Sequence, residues 1–94
     1  MPRFFFHIRN GTGFTEDEEG RDLPDEAAAR TIAVEGARSL LSHEVSGGTL
    51  DLRGRIEVVD DEGRPLFVLP FSDVISIATG ELPTPEPAEL SYDR

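Results

Sequence analysis

Hydrophobic and polar positions alternate along the first ten residues of the chain. Phe4, Phe6 and Ile8 fall on one side of a pattern with a period of two, whereas Phe5 and His7 fall on the other. This alternation predicts a β-strand with both faces at least partly covered. We expect Phe4 and Phe6 to lie in the core, which leaves open what covers Phe5 and His7.

A turn follows this strand at Asn10-Gly11, a pair typical of type I′ hairpin turns because both residues tolerate a positive φ. Residues 12–15 then return as an antiparallel strand. The acidic segment 16–20 ends in glycine and predicts a second turn, after which we expect strand pairing to end. Residues 21–23 are expected to be extended, since a proline follows them.

From Pro24 to about Ser46 the composition changes to alanine, glutamate, arginine and leucine, and apolar positions recur every three or four residues. This spacing predicts one amphipathic helix, which Gly47-Gly48 ends. We expect the alanines and Gly36 on its apolar face to let the helix lie close against a sheet.

The segment after the helix predicts further strands. Residues 50–52 and 55–59 are rich in Leu, Ile and Val, and the acidic turn at 60–63 joins 55–59 to a partner at 65–69. These strands supply the rest of the expected core.

A short helix is predicted at residues 73–78, with Ser72 and Asp73 available to cap it. Its apolar side chains need cover, either on the domain itself or on a partner; they are Val74, Ile75 and Ile77.

Together these elements predict an α+β fold in the order β-β-α-β-β-α, with three or four mainly antiparallel strands and the long helix on one face. We expect one domain over residues 1–79 and a flexible, acidic, proline-containing tail over 80–94. The opposite sheet face needs cover from the short helix or from a second copy in a two-fold dimer. The candidate interaction surface comprises Phe5, His7, Val74, Ile75 and Ile77.

Charge narrows the range of partners. The 94 residues include 19 acidic and 9 basic side chains, for a formal net charge of -10, so we expect no direct binding to nucleic acid. No apolar run approaches the roughly 20 residues that cross a bilayer, and the start of the chain lacks a signal-peptide pattern. The absence of cysteine fits a reducing compartment. We therefore expect a cytoplasmic protein without a membrane association.

No residue pattern predicts a catalytic, metal or cofactor site. As a general base, His7 would need a carboxylate or hydroxyl within hydrogen-bond reach, and two distant histidines without cysteine disfavour a zinc site. Residues 15–26 approach the spacing of an EF-hand loop, but Thr15 occupies its first ligand position and Pro24 interrupts it. We expect no enzyme activity, no metal and no cofactor.

Seven short motifs follow one another over residues 1 to about 78: Met1-Pro-Arg-Phe-Phe-Phe-His7, Asp17-Glu-Glu-Gly20, Asp22-Leu-Pro-Asp25, Ala37-Arg-Ser-Leu-Leu41, Ile56-Glu-Val58, Asp61-Glu-Gly63 and Leu69-Pro-Phe71. In this order they resemble a family of short bacterial proteins catalogued as a domain of unknown function. That resemblance implies no activity, cofactor or catalytic residue. The order of elements is also similar, more faintly, to the N-terminal domain of HicB-type antitoxins, which are acidic partners of small basic toxins.

Three functions remain open on the sequence. The first is a small, non-enzymatic interaction module that binds a protein partner or a second copy of itself. The second is an antitoxin-like inhibitor of a small basic protein. The third is a small ligand-binding or enzymatic domain centred on His7.

Overall fold

The computed structural model describes residues 1–83 and consists of one long helix packed against one antiparallel sheet. Its elements are β1 (Arg3–Asn10), β2 (Gly13–Thr15), β3 (Arg21–Asp22), α1 (Glu26–Ser46), β4 (Arg55–Val59), β5 (Pro65–Pro70) and a 3₁₀ turn (Phe71–Asp73). The predicted α+β class, with its long helix and antiparallel sheet, is confirmed.

Within residues 1–83 the sheet has five strands, and β1 pairs with three of the others. The path through the sheet is β2-β1-β4-β5, and β3 also pairs with β1. Strand β2 pairs with the end of β1, and β3 pairs with Arg3 and Phe4 at its start. The prediction that pairing ends after Gly20 is therefore wrong: residues 16–20 loop out and the chain then rejoins β1.

The first hairpin turns one residue later than predicted. Asn10 still belongs to β1, where it faces Gly13 across a loop of residues 11–12. Neither Asn10 nor Gly11 has a positive φ, so the predicted type I′ turn is wrong. Instead, the Asn10 side chain accepts a hydrogen bond from the backbone N–H of Thr12 at 2.9 Å, which closes the turn locally.

Helix α1 begins two residues later than predicted because Asp25, not Pro24, marks its boundary. The Asp25 carboxylate accepts a hydrogen bond from the Ala28 N–H at 2.9 Å and so caps the first turn. At the other end, Gly47 stops the helix as predicted.

The core lies between α1 and one face of the sheet. Its buried side chains are Phe4, Leu23, Ala29, Ala33, Ala37, Leu41, Ile56, Val58, Leu69, Phe71 and Val74. Gly36 was expected on the packed face of the helix, but it is exposed. The alanines alone therefore allow helix and sheet to approach.

Residues 50–52 do not form the predicted strand. The Glu44 carboxylate accepts a hydrogen bond from the N–H of Asp51, and the Asp51 carboxylate accepts one from the N–H of Arg53. Side chains thus satisfy backbone groups that a neighbouring strand would otherwise pair. The following hairpin of β4 and β5, around a turn at 60–63, is as predicted.

The predicted helix at 73–78 is replaced by the single 3₁₀ turn at Phe71–Asp73. Phe71 is fully buried, and its N–H donates to the carbonyl of Gly54 at 2.9 Å, which ties the chain to the sheet at this point. No side chain of the described residues caps the turn, and the β-branched residues after it disfavour helix. Residues 74–83 consequently have no regular structure.

Most of the predicted tail, residues 84–94, lies outside the described part of the chain, so its flexibility stays a prediction. Within residues 1–83, no helix combines the length and apolar composition that crossing a membrane requires.

Candidate interaction surface

One side of the sheet faces away from α1 and carries no helix among residues 1–83. Because side chains alternate along a strand, the neighbours of the buried Phe4, Ile56 and Val58 point to this side. We call this surface the open face. By strand register it comprises Phe5, His7, Arg9, Phe14, Arg55, Glu57, Val59 and Val68.

Phe14 lies at the centre of an aromatic and cationic cluster on the open face. Its ring centroid is 5.6 Å from that of His7, and the guanidinium carbon of Arg9 is 4.5 Å from the Phe14 centroid. Phe14 nevertheless remains 46% exposed. The sequence-based surface omits Phe14, because only its pairing with Arg9 across the hairpin places it on the same side as His7.

Glu57 lies between two arginines on the same face. Its Oε2 is 3.1 Å from Nε of Arg9 and 2.8 Å from Nε of Arg55. Partial burial raises the pKa of Glu57, but the hydrogen bonds and charges of the two arginines outweigh this effect and hold the pKa below its usual value. This end of the open face therefore presents an ionised carboxylate within a net positive group.

The acidic loop, residues 16–20, is fastened to β1 by Asp17. One oxygen of its carboxylate accepts a hydrogen bond from the N–H of Phe6 at 3.0 Å, and the other accepts bonds from the N–H groups of Glu19 and Gly20. Burial raises the pKa of Asp17, but the three hydrogen bonds together lower it by more, so the pKa is below its usual value. The carboxylate stands in for the backbone acceptor that a continuous strand would supply.

His7 takes part in the same arrangement. Its Nδ1 accepts a hydrogen bond from the backbone N–H of Asp17 at 3.0 Å. This nitrogen therefore holds the acidic loop in place, and only Nε2 is left for another contact. Sequence alone could not reveal this bond, because it depends on how the loop returns to β1.

An acidic cleft of about 330 Å³ opens between the acidic loop and the turn at 60–63. Phe5, His7 and Val59 contribute to its lining, and its carboxylates are Glu16, Asp17, Glu18, Asp60 and Asp61. Such a cleft attracts cationic side chains. Among residues 1–83, no three histidine or acidic side chains are placed to hold a metal ion.

The structure places the five predicted surface residues in three different settings. Phe5 and His7 lie together on the open face. Val74 is buried and Ile75 packs against the core, so both cover the interior of the domain itself. Val74 is therefore not available to a partner, whereas Ile77 is exposed on a segment without regular structure.

Comparison with known protein families assigns the chain to one of them. A family model described as a domain of unknown function (DUF6894) matches residues 3–72, most of the sequence. The chain belongs to the DUF6894 family. This match confirms the resemblance that the sequence motifs indicate. Comparison with curated proteins and with solved structures gave no match.

The part of the chain matched as DUF6894 contains all the strands described within residues 1–83, together with α1 and the open face. Val74, Ile75 and Ile77 follow the matched region. The open face therefore belongs to the DUF6894 domain, whereas the segment predicted as a short helix lies beyond the match.

Proposed function

We propose that this DUF6894 domain is a protein-binding module whose partner docks on the open face. The proposal depends on one observation: Phe14 and Val68 are 46% and 50% exposed on a single sheet surface that no element of residues 1–83 covers. Apolar groups surrounded by polar ones are typical of interaction sites. The arginines and Glu57 would supply the polar contacts around them.

Charge favours a basic partner over a second copy of the chain. Each copy carries a formal net charge of -10, so two copies repel each other, most strongly at low ionic strength. The acidic cleft borders the open face through Phe5, His7 and Val59. A partner with Arg or Lys side chains at that end and apolar side chains over Phe14 would complement both parts.

The same charge argument supports a second candidate function, an antitoxin-like inhibitor of a small basic protein. A neighbouring gene that encodes such a protein would favour this more specific role. The alternative centred on His7 has less support, because Nδ1 of His7 is already bonded to the acidic loop.

Affinity capture from a lysate of the source organism tests the docking surface. The bait is the full chain in three forms: wild type, the double variant Phe14→Ser/Val68→Ser, and the control Val45→Ser/Leu50→Ser. The control residues are 56% and 45% exposed and lie outside the open face, so it removes a comparable apolar surface elsewhere. We expect wild type and control to retain the same basic protein, and the open-face variant to lose it.

Two further measurements make the result decisive. Thermal unfolding should show all three forms folded, and the mass of the intact complex gives its stoichiometry. Retention of the partner by the open-face variant, or a wild-type chain that retains no protein, would contradict the proposal.

A further inference from the structure

A second concave site lies on the opposite side of the sheet, between α1 and β1. It is an apolar pocket of about 260 Å³, and its apolar walls are Phe6, Ile8, Ile32, Ala33 and Ile56. Asp17 and Arg21 stand at its rim, and Gly36 of α1 borders it. We call it the helix pocket. It is separate from the open face, whose residues point the other way.

Gly36 of α1 lines the helix pocket and has open space beside it. Glycine in the middle of a helix is disfavoured relative to alanine, so its presence calls for a local reason. Close packing is not that reason, because a Cβ added at Gly36 would have no atom within 4 Å. A larger side chain at position 36 would therefore have room to extend over the pocket that Gly36 lines.

The lining of the helix pocket includes one positively charged side chain, Arg21. Arg21 makes no side-chain hydrogen bond, ion pair or aromatic contact with any of residues 1–83, unlike the other arginines in this range. Asp17 is not an equivalent free anion, since both its oxygens already accept backbone hydrogen bonds. Asp17 is nonetheless ionised and its charge opposes an anion at this pocket. Arg21 is the charged lining residue whose hydrogen-bond donors are unused among residues 1–83.

We propose that the helix pocket binds a small amphipathic carboxylate, with its apolar body between α1 and β1 and its carboxylate paired with Arg21. An apolar cavity of about 150 Å³ holds one benzene molecule, so 260 Å³ accommodates a ring with a short chain. The net charge of the protein opposes anions at long range, but at about 0.15 M salt this field is screened beyond roughly 8 Å. At short range we expect the direct ion pair with Arg21 to outweigh the charge of Asp17, whose two oxygens already accept backbone hydrogen bonds.

An NMR titration of the full chain with three matched probes tests this site. The probes are 3-phenylpropionate, 3-phenylpropan-1-ol and 3-phenylpropylamine, which share a ring and chain but differ in charge. We expect the carboxylate to shift the amide signals of Ile32, Ala33 and Gly36. The alcohol should bind about fivefold more weakly, as expected for loss of an exposed ion pair, and the amine more weakly still.

Two variants separate the parts of the pocket. Gly36→Leu fills it and should weaken 3-phenylpropionate binding at least about tenfold, without lowering the melting temperature, because leucine favours helix. Arg21→Gln should remove the preference for the carboxylate over the alcohol while leaving alcohol binding unchanged. Arg30→Gln is the matched control, since Arg30 lies over Phe67 and does not line the pocket.

Three results would overturn the proposal. They are the absence of any shift at the pocket amides in wild type, undiminished binding of 3-phenylpropionate by Gly36→Leu, and a preference for the carboxylate over the alcohol in Arg21→Gln that is as large as in wild type. If Gly36→Leu does not fold, Gly36→Met, which is also long and favours helix, provides a similar obstruction and should weaken binding in the same way. None of these outcomes depends on the open face, so this site and the proposed protein-binding function can fail independently.

Discussion

In the core between α1 and the sheet, Val58 and Phe71 are fully buried, whereas on the open face Val68 and Phe14 remain about half exposed. The residue types are the same, so the difference lies in the cover that each side receives. A single helix can bury only one face of a sheet. Substitutions in the core should therefore lower stability, and matched substitutions on the open face should mainly affect binding.

The largest effect is expected from Phe71→Ala. It removes a fully buried ring and should lower the free energy of unfolding by about 3 to 5 kcal/mol. Phe14→Ala is the matched control, and it should cost less than about 1.5 kcal/mol because it loses only surface contacts with His7 and Arg9. Urea unfolding followed by circular dichroism measures both; equal losses would remove the distinction between the two faces.

A second pair of substitutions compares a glycine that is tightly packed with one that has open space around it. A Cβ at Gly54 would lie 2.7 Å from the Phe71 ring and 2.8 Å from the carbonyl oxygen of Arg9. Gly54→Ala should therefore lower the free energy of unfolding by about 1 to 3 kcal/mol. Gly36→Ala meets no atom and should raise it by about 0.5 to 1 kcal/mol. Thermal melts should move in opposite directions, and a shared direction would contradict this interpretation.

Asp17→Asn tests how the acidic loop is held at the edge of β1. An amide can replace only one of the two accepting oxygens, so its NH₂ group would face a backbone N–H donor. The free energy of unfolding should fall by about 1 to 3 kcal/mol. Asp61→Asn is the control, because it removes a charge from the same cleft without losing a hydrogen bond to any described residue.

The pH dependence gives a second test of Asp17. Its pKa is lower in the folded protein than the usual value, so its stabilising contribution is present above about pH 4 and is lost as the pH falls through the lowered value. The deficit of Asp17→Asn should therefore be large at about pH 7 and smaller at about pH 3. A deficit that does not change with pH would show that the ionised form of Asp17 does not contribute to it.

Sequence patterns predicted the elements whose cause is local. Alternation around Phe4 identified β1, helical spacing identified α1, and Gly47 marked its end. These features depend on residues that are close together in the sequence.

The wrong predictions concern contacts between distant residues. The strand expected at 50–52 is absent because Glu44 satisfies the backbone of Asp51, and the helix expected at 73–78 is displaced because Phe71 packs beside Gly54. For the candidate site, the pattern placed Phe5 and His7 on one face. It omitted Phe14 and Val68, which join them only through strand register.

The smallest effect on stability is expected from Glu57→Gln, at the arginine-rich end of the open face. The carboxylate contacts Arg9 and Arg55, but all three side chains are partly solvated, so its loss should cost less than about 1 kcal/mol, and less still in about 1 M salt. Because the substitution leaves two arginines without their shared carboxylate, it should weaken the binding of a basic partner more than it weakens the fold. Urea unfolding at low and high salt, alongside capture of the same partner, measures both quantities. A salt-independent stability loss above about 2 kcal/mol would show that the open face supports the fold as the core does.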